Sequence, residues 1–270
     1  MKAISAQLWI SLLGLACAGL AHADDAGSDD RLLFSAAGAT LSVASGGGGG
    51  SAGWLHNFNA DNLAGAAVEY DTIANSHWTF GSLNAATTSG PAGARLSLYG
   101  EVHEGTGDIG SRGFDYSVVA AGLIRTFGPH LSLLLEDRQF DIDTSRGNLP
   151  KIGLTYLWGP RLQTAVAFQH SVSGNLGTNL GSVRIDAYGK PLNWIVGGAF
   201  GQGAPAVFNL QTGAVVPNSG RLKEGFLGAS KSFARSDVSV VADYLDISGT
   251  RRVTLTVNYI FDLRATGPSK

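Results

Sequence analysis

The segment Val253-Thr254-Leu255-Thr256-Val257-Asn258-Tyr259-Ile260-Phe261-Asp262 changes character at every step. Its odd positions are Val, Leu, Val, Tyr and Phe, and its even positions are Thr, Thr, Asn, Ile and Asp. Successive side chains of an extended strand point to opposite faces, so this strand carries one apolar wall and one polar wall. It must face two solvents. Composition says which two: 44% of the chain is hydrophobic and only 15% charged, with 38 glycines, yet no apolar run beyond the N-terminus reaches the roughly 20 residues a membrane helix needs. The apolar surface is spread over short alternating pieces. A bilayer accepts only helices or closed barrels, because each unpaired backbone group in hydrocarbon costs several kcal/mol. The pattern therefore predicts an all-β fold, a transmembrane antiparallel up-and-down barrel, with Tyr259 and Phe261 in an aromatic girdle at one interface.

The N-terminus reads as an export signal. Lys2 precedes an apolar run from Leu8 to Leu20, and Ala21-His22-Ala23 is a small-x-small cleavage site, followed at once by the acidic residues Asp24, Asp25, Asp29 and Asp30. Cys17 lies inside that run, but a lipoprotein signal wants Leu three residues before the cysteine and Gly14 stands there. The expected organisation is a signal peptide over 1–23, a short periplasmic segment over 24–31, a barrel over 32–262 and a periplasmic tail over 263–270. Cleavage removes the single cysteine, so disulfides and thiol chemistry are excluded. It also leaves 18 basic residues against 21 acidic ones, a net charge of −3 with no basic run, which gives nucleic-acid binding no support. No cofactor motif is present: the run Gly46 to Gly50 lacks the lysine and helix of a phosphate loop and reads as a flexible hairpin.

Tight turn signals recur with two strands between each: Asn59-Ala60-Asp61, Ser89-Gly90-Pro91, Gly128-Pro129, Gly159-Pro160, Gly189-Lys190-Pro191 and Ala234-Arg235-Ser236. Between them lie longer polar connections, Glu104 to Gly113, Asp143 to Gly147, Gly174 to Asn179 and a large one from Gly203 to Arg221. Short periplasmic turns alternating with longer extracellular loops are the habit of outer-membrane barrels. This frame gives about fourteen strands, near 32–45, 50–58, 63–73, 76–88, 93–105, 113–127, 130–142, 149–158, 161–173, 178–189, 192–202, 222–233, 236–247 and 250–262. Twelve remain possible if Gly46 to Gly50 is a linker.

Alternation also assigns an interior. Glu69 opposes Val68 and Tyr70; Arg95, Ser97, Tyr99, Glu101 and His103 oppose Leu96, Leu98 and Val102; Ser132, Glu136 and Arg138 oppose Leu131, Leu133 and Leu135. Arg184, Asp186 and Tyr188 oppose Val183, Ile185 and Ala187, and Ser239 and Asp243 oppose Val238, Val240 and Ala242. The pore-lining set is thus Glu69, Arg95, Glu101, Glu136, Arg138, Arg184, Asp186 and Asp243. Charges of both signs along a water-filled lumen select solutes by their field. The same charges also suit a salt-bridge network that only solvates and stiffens the wall. The Gly203 to Arg221 segment, apolar for a loop at Ala204 to Phe208 and Ala214 to Pro217, is the one candidate plug, or else an outer contact surface.

Two enzymatic patterns come near to this sequence. Lipid A deacylases and the outer-membrane phospholipase pair His and Ser two residues apart, but here His170 is followed by Ser171 and Ser173, both on the opposite face. Omptin proteases use an acidic pair with an Asp-His pair at the outer mouth, for which Asp141 and Asp143 with Glu101 and His103 are the nearest match. An acid beside an imidazole can orient a water as general base. Neither pattern fits, and the chain reads as a non-enzyme.

The layout of signal peptide, about 250 mature residues, a long late loop and a closing pair, Asp237 to Ala242 and Arg252 to Val257, resembles the YaiO-type family of outer-membrane barrels. That resemblance implies placement in the bacterial outer membrane. A last strand ending in aromatics is also similar to the signal read by the barrel assembly machinery, although Leu263 to Lys270 follow it here. Expected partners are that machinery, outer-membrane lipids and lipopolysaccharide; the expected function is a pore or transport barrel, with two alternatives, a surface-interaction barrel binding lipopolysaccharide or polysaccharide and a barrel hydrolase, deacylase-like or omptin-like, centred on His103 or His170. N-terminal sequencing of the exported protein should begin at Asp24, and a mature chain retaining residues 1–23 would refute the export signal.

Overall fold

The computed structural model describes residues 29–42, 45–73, 76–142, 145–174, 177–203, 220–247 and 249–263. The predicted signal peptide, most of the 203–221 connection and the tail after Leu263 lie outside them. The described strands are β1 (Asp29–Leu41), β2 (Gly47–Asn57), β3 (Asn62–Ile73), β4 (Ser76–Ser89), β5 (Leu96–Ile109), β6 (Arg112–Phe127), β7 (Leu131–Ile142), β8 (Ser145–Asn148), β9 (Lys151–Gly159), β10 (Leu162–His170), β11 (Asn179–Ala187), β12 (Asn193–Gly203), β13 (Gly220–Ser232), β14 (Ser236–Ile247) and β15 (Thr250–Asp262). Except between β8 and β9, each pairs antiparallel with its neighbours in sequence, and β1 pairs with β15 from Arg31↔Asp262 to Leu41↔Arg252. The sheet has no free edge. Strands β8 and β9 occupy one place in the wall, since both pair with β7. Pro150, which has no N–H to donate, separates them, so the ring has fourteen positions and the twelve-strand alternative falls.

The two walls follow the alternation. Val253, Leu255 and Val257 of β15 are exposed on the outside while Arg252, Thr254 and Thr256 are buried within. Outward aromatics gather at two levels. Near the tight turns stand Trp54, Phe58, Phe127, Tyr156, Trp158, Trp194 and Phe233, with Tyr259 stacked on Phe261 at 6.3 Å. Toward the opposite rim stand Tyr70, Phe168, Phe200 and Tyr244. Two aromatic levels bracketing an aliphatic band are the mark of a barrel seated in a bilayer.

Three segments depart from expectation for stated physical reasons. Strand β1 begins at Asp29, inside the segment assigned to the periplasm, because Asp29 and Asp30 already pair with Asn57 and His56. Gly47 to Gly50 are not a flexible hairpin but the first turn-side residues of β2, paired with both β1 and β3. Their smallness is used: a Cβ on Gly49 would overlap the Asp71 carboxyl opposite it. Likewise most of Glu104 to Gly113 is strand, with the reversal confined to Gly110 and Ser111. Gly105 and Gly107 lie against aromatic side chains. Phe80, Gly105 and Tyr116 are in register across β4, β5 and β6, and the two rings stack over the glycine at 5.1 Å.

Strands β4, β5 and β6, with 14, 14 and 16 residues, exceed the roughly 9 to 11 needed to cross the bilayer. They extend the wall outward on the extracellular side. Replacing Leu255 with Lys, near the middle of the outer band, should destabilise the folded barrel by about 2–4 kcal/mol in urea titrations in lipid vesicles. Replacing the inward Thr256 with Ser should cost far less; equal losses would contradict the assignment of faces.

Candidate functional site in the barrel lumen

The interior is organised in rows that run around the barrel across the strands. In one row Glu101 on β5, Ala120 on β6 and Arg138 on β7 are in register. The small alanine lets the Arg138 guanidinium pass over β6 and donate to Glu101. The next row holds Tyr99, Gly122 and Glu136, and the Tyr99 hydroxyl donates to Glu136 Oε2 at 2.8 Å. A Cβ at Gly122 would collide with the Tyr99 ring. Arg138 Nε also lies 3.5 Å from Glu136 Oε1, and Lys151 faces Glu136 in register across β7 and β9. Further round, the Arg184 guanidinium grips Asp186 two residues along the same strand face, with Nη2 to Oδ1 at 2.7 Å and Nε to Oδ1 at 2.9 Å.

A second group lies on the other side of the lumen. Arg252 of β15 approaches Asp243 of β14 at 3.7 Å and lies within electrostatic reach of Glu224 on β13 and Asp71 on β3. Glu69 sits two residues before Asp71 on the same face. Both are buried.

Apolar clusters fill the space above and below these charges. Trp78, Phe80, Tyr116, Val118, Phe140 and Leu149 pack in the outward extension of the wall. Leu33, Leu55, Leu63, Ala86 and Tyr99 pack nearer the tight turns, and Leu180, Ala199, Leu222, Leu245 and Ile247 line the far side. The Glu101 side chain is 0% exposed and that of Arg138 9%. These side chains are thus packed away from water against the inner wall. Buried ion pairs depend on hydrogen bonds to their remaining atoms; here Glu101 Oε1 and Glu136 Oε2 accept one each, while Glu101 Oε2 and Arg138 Nε have no hydrogen-bond partner.

Seven of the eight sequence-predicted residues face this interior: Glu69, Glu101, Glu136, Arg138, Arg184, Asp186 and Asp243. Arg95 does not join them. The turn closed by Ala94 N–H to Pro91 O ends immediately before it, β5 begins at Leu96, and Arg95 is exposed at the turn-side rim. Asp71, Lys151, Glu224 and Arg252 were missed, although Asp71 and Arg252 share the parity of Glu69 and Thr254 and the same alternation would have found them. Among the enzymatic candidates, Glu101 and His103 lie deep in the lumen and not at the mouth, because β5 runs on to Ile109. Asp141 is exposed and paired with Arg146 at 2.8 Å; Asp143 is outside the described residues. His170 is on the outer face, stacked with Phe168 and in contact with Asn179 Oδ1 at 3.0 Å, away from any serine nucleophile geometry.

The sequence matches no protein-family profile and no curated protein. The fold is similar to that of solved channels. CymD, a monoaromatic hydrocarbon channel, superposes with a TM-score of 0.62 at 10% identity over 92% of both chains. The toluene transporter TodX of Pseudomonas putida gives 0.51 at 9% identity over 89% of both. Omp33 of Acinetobacter baumannii gives 0.51 at 12% identity, covering 86% of this chain and 98% of the other. This chain has the fold of an outer-membrane β-barrel.

Arg138→Met should cost about 3–5 kcal/mol of folding free energy, because Glu101 is left as a buried charge without its cation. Adding Glu101→Gln should restore most of it, as read by urea unfolding of both variants; a double variant no better than the single one would show that the pair is not coupled.

Proposed function

We propose that this protein is an outer-membrane channel for small polar solutes, delivered after signal-peptide cleavage near Ala23. The observation that carries the reading is the track of ionisable side chains through the lumen, from Glu224, Asp243 and Arg252 past Asp71 and Glu69 to Glu101, Arg138, Glu136, Lys151, Arg184 and Asp186. A lumen needed only as filler is served as well by apolar residues of similar volume, often with a gain in stability. A transit path requires polar groups that replace a solute's water. The shared fold with solved channels supports this reading, and the layout in common with YaiO-type barrels agrees with the membrane placement. The outer band is in contact with the lipid and lipopolysaccharide of that membrane.

The burial of these lumen side chains favours a second reading, a structural barrel that acts through its extracellular loops on lipopolysaccharide or polysaccharide. Planar-bilayer recordings separate the two. The wild-type barrel should give small stepwise currents, and the Glu101→Ala/Arg138→Ala variant, with the waist side chains truncated, should give steps several-fold larger. A correctly folded barrel that stays silent in both forms would remove the channel reading and leave the structural one.

A further inference from the structure

We propose that the extracellular half of the lumen selects small cations over anions, and that the carboxyl groups of Glu69, Asp71, Glu224 and Asp243 carry the selection. The proposal rests on the channel reading above and gives it a solute class.

The two sides of the lumen differ in charge balance. Between β5 and β11 every carboxylate has a cation beside it: Glu101 and Glu136 meet Arg138 and Lys151, and Asp186 meets Arg184. Between β13 and β3 four carboxyl groups converge, and among the described residues of that half Arg252 is the base set against them. Its Nη2 lies 3.7 Å from Asp243 Oδ1. One guanidinium cannot balance four acids. Like charges brought together in a protein interior demand a positive partner, either a proton or an ion from solution.

An independent feature points to a cation. Thr254 is 1% exposed and lies directly across from Asp243 in the β14–β15 register. Its hydroxyl oxygen has no hydrogen-bond partner, and neither has Glu69 Oε1. A neutral oxygen beside carboxylates is the donor set that replaces water around an alkali cation or a primary ammonium. Among the described residues no three acids or imidazoles are placed to chelate a metal ion. Contacts here are therefore weak and exchangeable, as conduction requires: strong enough to admit an ion and too weak to trap it.

The test is the reversal potential across a planar bilayer under a roughly tenfold KCl gradient in dilute salt, where the screening length is about 10 Å. Potassium permeability should exceed chloride permeability at least about threefold, and replacing potassium with methylammonium should preserve the sign if organic ammonium ions share the path. Glu69→Gln/Asp71→Asn and Glu224→Gln/Asp243→Asn, tested separately so that misfolding of one leaves the other, should each bring the ratio toward unity. Asp137→Asn/Asp141→Asn removes the same charge from the outer face and should leave the ratio unchanged. Conducting barrels with no cation preference, or a preference untouched by both lumen variants, would overturn this proposal alone. Silence in the wild-type and waist-truncated forms would overturn the channel reading and this proposal with it.

Discussion

Backbone polarity in hydrocarbon is the constraint from which the rest of this structure follows. Every N–H and C=O of a membrane strand must find a partner within the protein, so a wall made of strands must close. The eleven register pairs between β1 and β15 complete the ring, and closure fixes what each side chain faces. Residues of one parity meet lipid and those of the other meet their own kind across the interior. Pro150 is a weak point in the backbone ladder. It is bridged by Leu149 N–H to Arg138 O on one side and by His170 N–H to Pro150 O on the other, both within about 3 Å.

The interior then faces a packing problem of its own. Long polar side chains fixed to adjacent strands point the same way and compete for one space. Here the conflict is relieved by a small residue on the middle strand of three. Ala120 lies between Glu101 and Arg138, Gly122 between Tyr99 and Glu136, and Gly105 between Phe80 and Tyr116. Each small residue gives floor space to its neighbours, and the ion pairs and ring stacks lie across it. The packed inner wall is a product of this arrangement.

The sequence made the wall highly legible because a period of two is a strong local signal. The alternation in Val253 to Asp262 and in Leu131 to Arg138 reports directly which side meets lipid. Seven of the eight residues that parity assigned to the interior face it. What parity could not show is reach. Glu101 and Arg138 are 37 residues apart, and nothing in either segment says that they meet. Glycine was the other source of misreading. In Gly46 to Gly50 and Glu104 to Gly113 it resembles a turn signal, yet in the sheet it marks places where a ring or carboxyl from the next strand needs the room. Arg95 failed for a simpler reason, since β5 begins at Leu96, three residues later than expected, and leaves Arg95 at the turn.

The glycine and alanine positions of β5 and β6 also govern how damage would travel. In a helical protein a substitution disturbs residues three or four places along the chain. In this barrel a methyl group added at Gly122 would push the Tyr99 ring and release Glu136, which belong to the strands on either side. Harm spreads along the circumference, perpendicular to the chain, and residues far apart in sequence form hoops that tolerate or reject change together.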